Sequence, residues 1–110
     1  MTLSLPFRRG QLIVAVLHSP RERIWGALLG LDGPGLAIRG LELTPWEEVL
    51  TQVRNGHADL VSLYTRFVPM HRLESVYLDE RSSGVPSLAE VFQDRTAQDP
   101  LAFLMGEEGP

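Results

Sequence analysis

The chain contains no cysteine and no lysine. The first absence excludes a disulfide scaffold, a thiolate metal site and a cysteine nucleophile. The second excludes Schiff-base chemistry and the P-loop, which needs its lysine. No uninterrupted apolar run is longer than Leu12 to Leu17, far short of the roughly 20 residues that cross a bilayer. Arg8 and Arg9 precede that run, which is too short for the core of a secretion signal. H-E-x-x-H and G-x-S-x-G are also missing, and the glycines at 33, 35 and 40 do not match G-x-G-x-x-G. These absences predict a cytoplasmic, noncatalytic chain with no membrane anchor and no cofactor.

What is present is a 110-residue chain with 44% hydrophobic and 22% charged residues, enough for one fold with a real core. All ten basic residues are arginine and the net charge is −4, which disfavours generic binding to polyanions. The charge is uneven. Residues 1 to 72 hold eight arginines and six acids, for +2, whereas residues 73 to 110 hold two arginines and eight acids, for −6. The acidic third reads as a solvated surface, or as a tail that tunes binding to a polyanion.

Residues 11 to 18 are a continuous apolar run rich in β-branched residues, and 22 to 31 are a second run interrupted only by glycines, as buried strands are. Asp32-Gly33-Pro34-Gly35 joins the second to a third strand over 36 to 43, with glycine available for a positive φ in the reversal. In that third strand Leu36 and Ile38 share one parity and Leu41 and Leu43 the other, which predicts a bulge at Gly40, while Gly26 predicts a bend. Thr44-Pro45-Trp46-Glu47 has the spacing of a capping box, with Pro45 at the first helical position, and opens a helix over 45 to 55 that stops at Asn55-Gly56. Alternation from Leu60 to Val68 gives a fourth strand, and Leu73 to Leu78 a fifth. Arg81 to Pro86 is a linker, followed by a capping box at Ser87 and Glu90 and a last turn starting at Asp99-Pro100. The expected division is a domain over 1–80 and a helical tail over 81–110, the tail helix packing on the strands or on a neighbouring subunit.

His18, His57 and His71 are spaced by 39 and 14 residues, which fits no metal pattern. His71 stands out because a turn between strands can expose its imidazole beside Arg72. The acid pairs Glu47-Glu48, Asp79-Glu80 and Glu107-Glu108 hold a hard cation only if folding gathers further oxygens around them. His71 with Asp79 is the one pairing that offers a catalytic site.

The strand order, the glycine bends and two short motifs resemble the Sm-like family, in particular bacterial Hfq-type proteins. Ile24 to Asp32 (IWGALLGLD) resembles its first motif, a bent strand whose glycine precedes an aspartate by six residues. Met70 to Val76 (MHRLESV) resembles the second, in which a histidine sits in the turn before the last strand. The resemblance spans residues 12 to 43 and 60 to 79. It implies a mainly β fold, a small, strongly bent, five-stranded Sm-like (SH3-like) barrel, to which the residue pattern adds a helix inserted between strands three and four and a helix at the C-terminus. It also implies a homo-oligomer in which the fourth strand of one subunit pairs with the fifth of the next. Val61, Leu63, Phe67, Val76 and Leu78 are the interface candidates, the alternative being that the tail helix covers the edge.

For RNA the resemblance carries over only His71 of the family's uridine pocket directly; Asp32, at the end of the first motif, is a further candidate, and Arg66 and Arg72 stand in for the positive charge of the family's lysine, which is missing here. The chain departs from the pattern where Gly33 and Pro34 replace a glutamine and a base-stacking aromatic, and where Pro69 and Met70 replace an aromatic and a lysine. Two functions follow. One is an oligomeric Sm-like module that binds single-stranded RNA weakly through Arg66, His71, Arg72 and Asp32. The other is a protein-interaction or assembly scaffold that presents the 45 to 55 helix and the acidic tail to a protein partner.

Overall fold

A computed structural model describes residues 7–106. Its elements are β1 (Leu12–Leu17), β2 (Glu22–Asp32), β3 (Gly35–Glu42), α1 (Trp46–Arg54), a 3-10 turn (Ala58–Leu60), β4 (Tyr64–Pro69), a second 3-10 turn (Met70–Arg72), β5 (Leu73–Leu78), α2 (Leu88–Thr96) and α3 (Pro100–Met105). The strands form one antiparallel sheet in the order β4-β3-β2-β1-β5. Both of its faces are buried over the central strands β1 to β3. Ile13, Ala15, Leu17, Ile24, Leu28, Leu36, Ile38 and Val68 pack together on the inner face. Val14, Val16, Trp25 and Leu41 on the outer face pack against Val49, Leu50 and Val53 of α1, Phe92 of α2 and Leu104 of α3. This two-sided burial is why β1 and β2 carry almost unbroken apolar sequence.

Chain connectivity forces the sheet to curl. Pro69 pairs with Gly35, which pairs with Asp32 at one end of β2, whereas Leu73 pairs with Leu17, which pairs with Glu22 at the other end. A straight strand of that length covers about 33 Å. The link through Met70–Arg72 reaches at most about 14 Å, so β2 and β3 must fold back on themselves. Gly26 and Gly40 face each other across this pair. A Cβ on Gly26 would lie 2.7 Å from the Gly40 Cα, and one on Gly40 would lie 2.8 Å from the Gly26 Cα, so only glycine permits the approach.

The curled sheet is not closed, because β4 and β5 are its two edges and do not pair with each other. The expected bulge also moves. The register shift lies in β2 between Leu28 and Gly30, and pairing at Gly40 is regular. β3 in fact alternates without a slip: Leu36 and Ile38 face inward, Gly40 takes the next inward position, and Leu41 faces the helices. Neither Gly33 nor Gly35 adopts a positive φ in the hairpin. Gly35 is required for space instead, since a Cβ there would meet the Phe67 ring at 2.8 Å.

Two further expectations are corrected, and of the two placements expected for the tail the first is found. Thr44 does not cap α1; Pro45 occupies the cap position without a side-chain hydrogen bond, and Glu47 accepts from Arg95 Nη2 at 2.9 Å rather than reaching back. The fourth strand begins at Tyr64, and residues 58–60 form a 3-10 turn instead. The tail packs on its own sheet: Phe92 and Leu104 are wholly buried, with the Trp25 and Phe92 rings 5.5 Å apart and Trp25 edge-on to Trp46 at 5.2 Å.

The α2 capping box forms in both directions, Glu90 N–H donating to Ser87 Oγ at 3.0 Å and Ser87 N–H to Glu90 Oε1 at 2.8 Å. Asp99 caps α3 by accepting from Ala102 N–H at 2.9 Å. Among the described residues no helix is long and apolar enough to cross a membrane.

Candidate functional site

The curl brings Arg66 of β4 and Arg72, just before β5, to one carboxylate at the start of β2. Arg66 donates to Glu22 from both terminal nitrogens, at 2.8 and 3.1 Å, and Arg72 Nη2 donates to Glu22 Oε2 at 2.8 Å. Arg72 also ties down the loop between β1 and β2, donating from Nε to His18 O and from Nη2 to Pro20 O, each at 3.0 Å. The Glu22 side chain is only 16% exposed. Hydrogen bonds from Arg66 first and Arg72 second outweigh burial and hold its carboxyl down at about 2. Arg66 in turn is held above the ordinary arginine range by Glu22.

The sequence-predicted cations are therefore together, but both point at Glu22. Two guanidiniums on Glu22 leave a charge of +1, which the neighbouring Glu42 carboxylate offsets, and the strongest donor directions are already used. Asp32 and His71 are exposed. They occupy neighbouring turns, because Met70 N–H donates to Pro34 O at 2.9 Å and docks the 3-10 turn on the β2–β3 hairpin. Among the described residues no hydrogen bond or ion pair joins Asp32 or His71 to the two arginines. Glu22 was missed by sequence reasoning. Its signal was faint: a single acid between Arg21 and Arg23 at the mouth of an apolar strand.

Asp79 has a structural task. Its Oδ2 accepts from Trp25 Nε1 at 2.9 Å and Ala89 N–H at 2.8 Å, and its Oδ1 accepts from Leu88 N–H at 2.8 Å. It thus serves the first amides of α2 and a buried indole together. His71 and Asp79 lie at opposite ends of the six-residue β5, about 20 Å of strand, and do not form a pair. Among the described residues no group of three or more His, Asp or Glu side chains converges as a metal site would. Glu107 and Glu108 lie outside the described residues.

The interface candidates separate by environment. Val61 and Leu63 precede β4 and pack against the helix-side core, while Val76 and Leu78 pack against the inner core. Phe67 is 56% exposed on the β4 edge and rests on Gly35. On the β5 edge Tyr77 is 47% exposed, a residue that sequence reasoning passed over although alternation with Val76 puts it on the opposite face. Comparison of the chain with protein-family models, curated proteins and solved structures gives no match.

Proposed function

We propose that the chain is a noncatalytic, Sm-like assembly module that joins to copies of itself edge to edge and serves as a protein-interaction scaffold. The observation that carries this reading is the pair of open edges, β4 and β5, each with a large exposed ring, Phe67 and Tyr77. Unpaired strand edges are sites of strand addition unless something covers them. Edges at the two ends of one curled sheet suit head-to-tail joining, which closes into a ring when the rotation allows. The Sm-like reading rests on the two motifs together with the strand order and the bend at Gly26.

The absence of cysteine makes a direct test simple. Thr65→Cys and Ser75→Cys, combined in one chain and oxidised at micromolar concentration, are expected to give disulfide-linked ladders. Monomer alone, with the fold intact, would refute edge pairing.

Single-stranded RNA is the second reading. It is favoured by the docking of the His71 turn against the Asp32 hairpin, and opposed by the Glu22 carboxylate that engages both arginines. Fluorescence anisotropy of uridine-rich and adenine-rich strands at low and physiological salt separates the two readings. Submicromolar, salt-sensitive binding supports RNA, and flat curves support the scaffold.

A further inference from the structure

Glu22, Glu47, Glu74 and Glu90 each form an ion pair with an arginine. Among the described residues Glu42 and Glu48 form no ion pair, and both are exposed, Glu42 standing beside the Glu22 carboxylate. They flank a cleft of about 370 Å³ between α1 and the start of β4. Its floor is apolar, made by Leu41, Val49 and Val61. Leu60 stands at the mouth, 60% exposed, positioned by a 3-10 turn in which its N–H donates to His57 O at 3.0 Å. Tyr64 forms part of the wall; burial chiefly pushes its hydroxyl upward, against the pull of the Arg66 guanidinium and with a smaller contribution from the Glu42 charge. No basic side chain lines the cleft.

A volume at the small end of ligand pockets suits one or two side chains rather than a whole cofactor. An exposed leucine beside two exposed carboxylates complements a partner that brings an aliphatic group and a cation side by side. We propose that this cleft docks a short basic segment of a partner protein, an arginine or lysine flanked by an aliphatic residue. The aliphatic side chain lies on Leu41, Val49 and Val61 beside Leu60, and the cation sits between Glu42 and Glu48. This rests on the scaffold reading and supplies the chemistry of the partner.

The test titrates an acetylated, amidated hexapeptide, Gly-Leu-Arg-Leu-Arg-Gly, into the full nitrogen-15-labelled chain while the amide signals of Gln52, Val61 and Ser62 are followed. Saturable shifts are expected with a Kd on the order of 1 mM at low salt. They should disappear when the peptide arginines are replaced by glutamate. The exposed double variant Glu42→Gln/Glu48→Gln should bind about fivefold more weakly. The proposal is overturned by unsaturable shifts, by shifts spread over residues 74–94 instead, by equal binding of a peptide with serine for leucine, or by a double variant that binds like the parent. Light scattering on the same samples separates the two readings. An oligomer with a silent cleft rejects the docking site alone, and a monomer with a saturating cleft rejects self-assembly alone.

Discussion

Trp25 and Asp79 are 54 residues apart in sequence and joined by a 2.9 Å hydrogen bond from the indole to the carboxylate. The same carboxylate takes the Leu88 and Ala89 amides, so one side chain fixes the tryptophan at the centre of the outer core and the start of α2 above it. Asp79→Ala leaves a buried indole N–H without its acceptor and two helix amides uncapped, and is expected to cost about 3 kcal/mol. Urea unfolding followed by tryptophan fluorescence measures it. A loss below about 0.5 kcal/mol, the scale of an ordinary surface substitution, would contradict this role.

Acid should loosen the staple at Glu22. Its carboxyl is depressed to about 2 from 4.5, so its contribution is complete above about 4.5 and is lost as pH falls through about 2. Glu22→Gln should destabilise the protein by about 2 kcal/mol near neutrality, the value of a mostly buried pair rather than a solvated one. The gap between parent and variant in urea unfolding should close between pH 4.5 and pH 2. A gap that is constant across that window would show that the carboxylate charge is not what matters.

Glu22 also governs the RNA question. Parent protein is expected to give flat anisotropy curves with both RNA types. Glu22→Gln frees Arg66 and Arg72 for phosphate and should bind RNA more tightly than the parent if either arginine can reach it at all. Tight binding by the parent that Arg66→Ala or Arg72→Ala abolishes would instead make RNA the primary ligand.

The bend makes a stability prediction with an internal control. Gly26→Ala places a methyl against the Gly40 backbone and should cost about 3 kcal/mol, because backbone on both sides must move. Gly30→Ala, with nothing within 4 Å of its added carbon and no positive φ, should stay within about 0.5 kcal/mol. Thermal unfolding of the two variants compares them directly.

Features encoded within a few residues were legible in the sequence. Leu73 to Leu78 reads as a strand and is one, and the Ser87–Glu90 offset reads as a capping box and forms one. Features set by distant partners were not legible. Glu22 meets arginines 44 and 50 residues away. Thr44 has the right spacing to cap, yet Arg95 draws Glu47 outward and Pro45 takes the cap position. Val61 and Leu63 alternate like a strand, but the helix-side core claims them. The change of parity at Gly40 is no slip, because burial on both faces of β3 imitates a change of phase.

The most direct test of self-assembly is the mass in solution by light scattering at micromolar concentration, for the parent and for a Phe67→Lys/Tyr77→Lys variant. Both rings are exposed, and lysine on an edge strand opposes strand addition. Edge-to-edge assembly predicts a multiple of 12.3 kDa for the parent and a folded monomer for the variant. A parent that scatters as a 12.3 kDa monomer, or a variant that keeps the parent's mass, would contradict it.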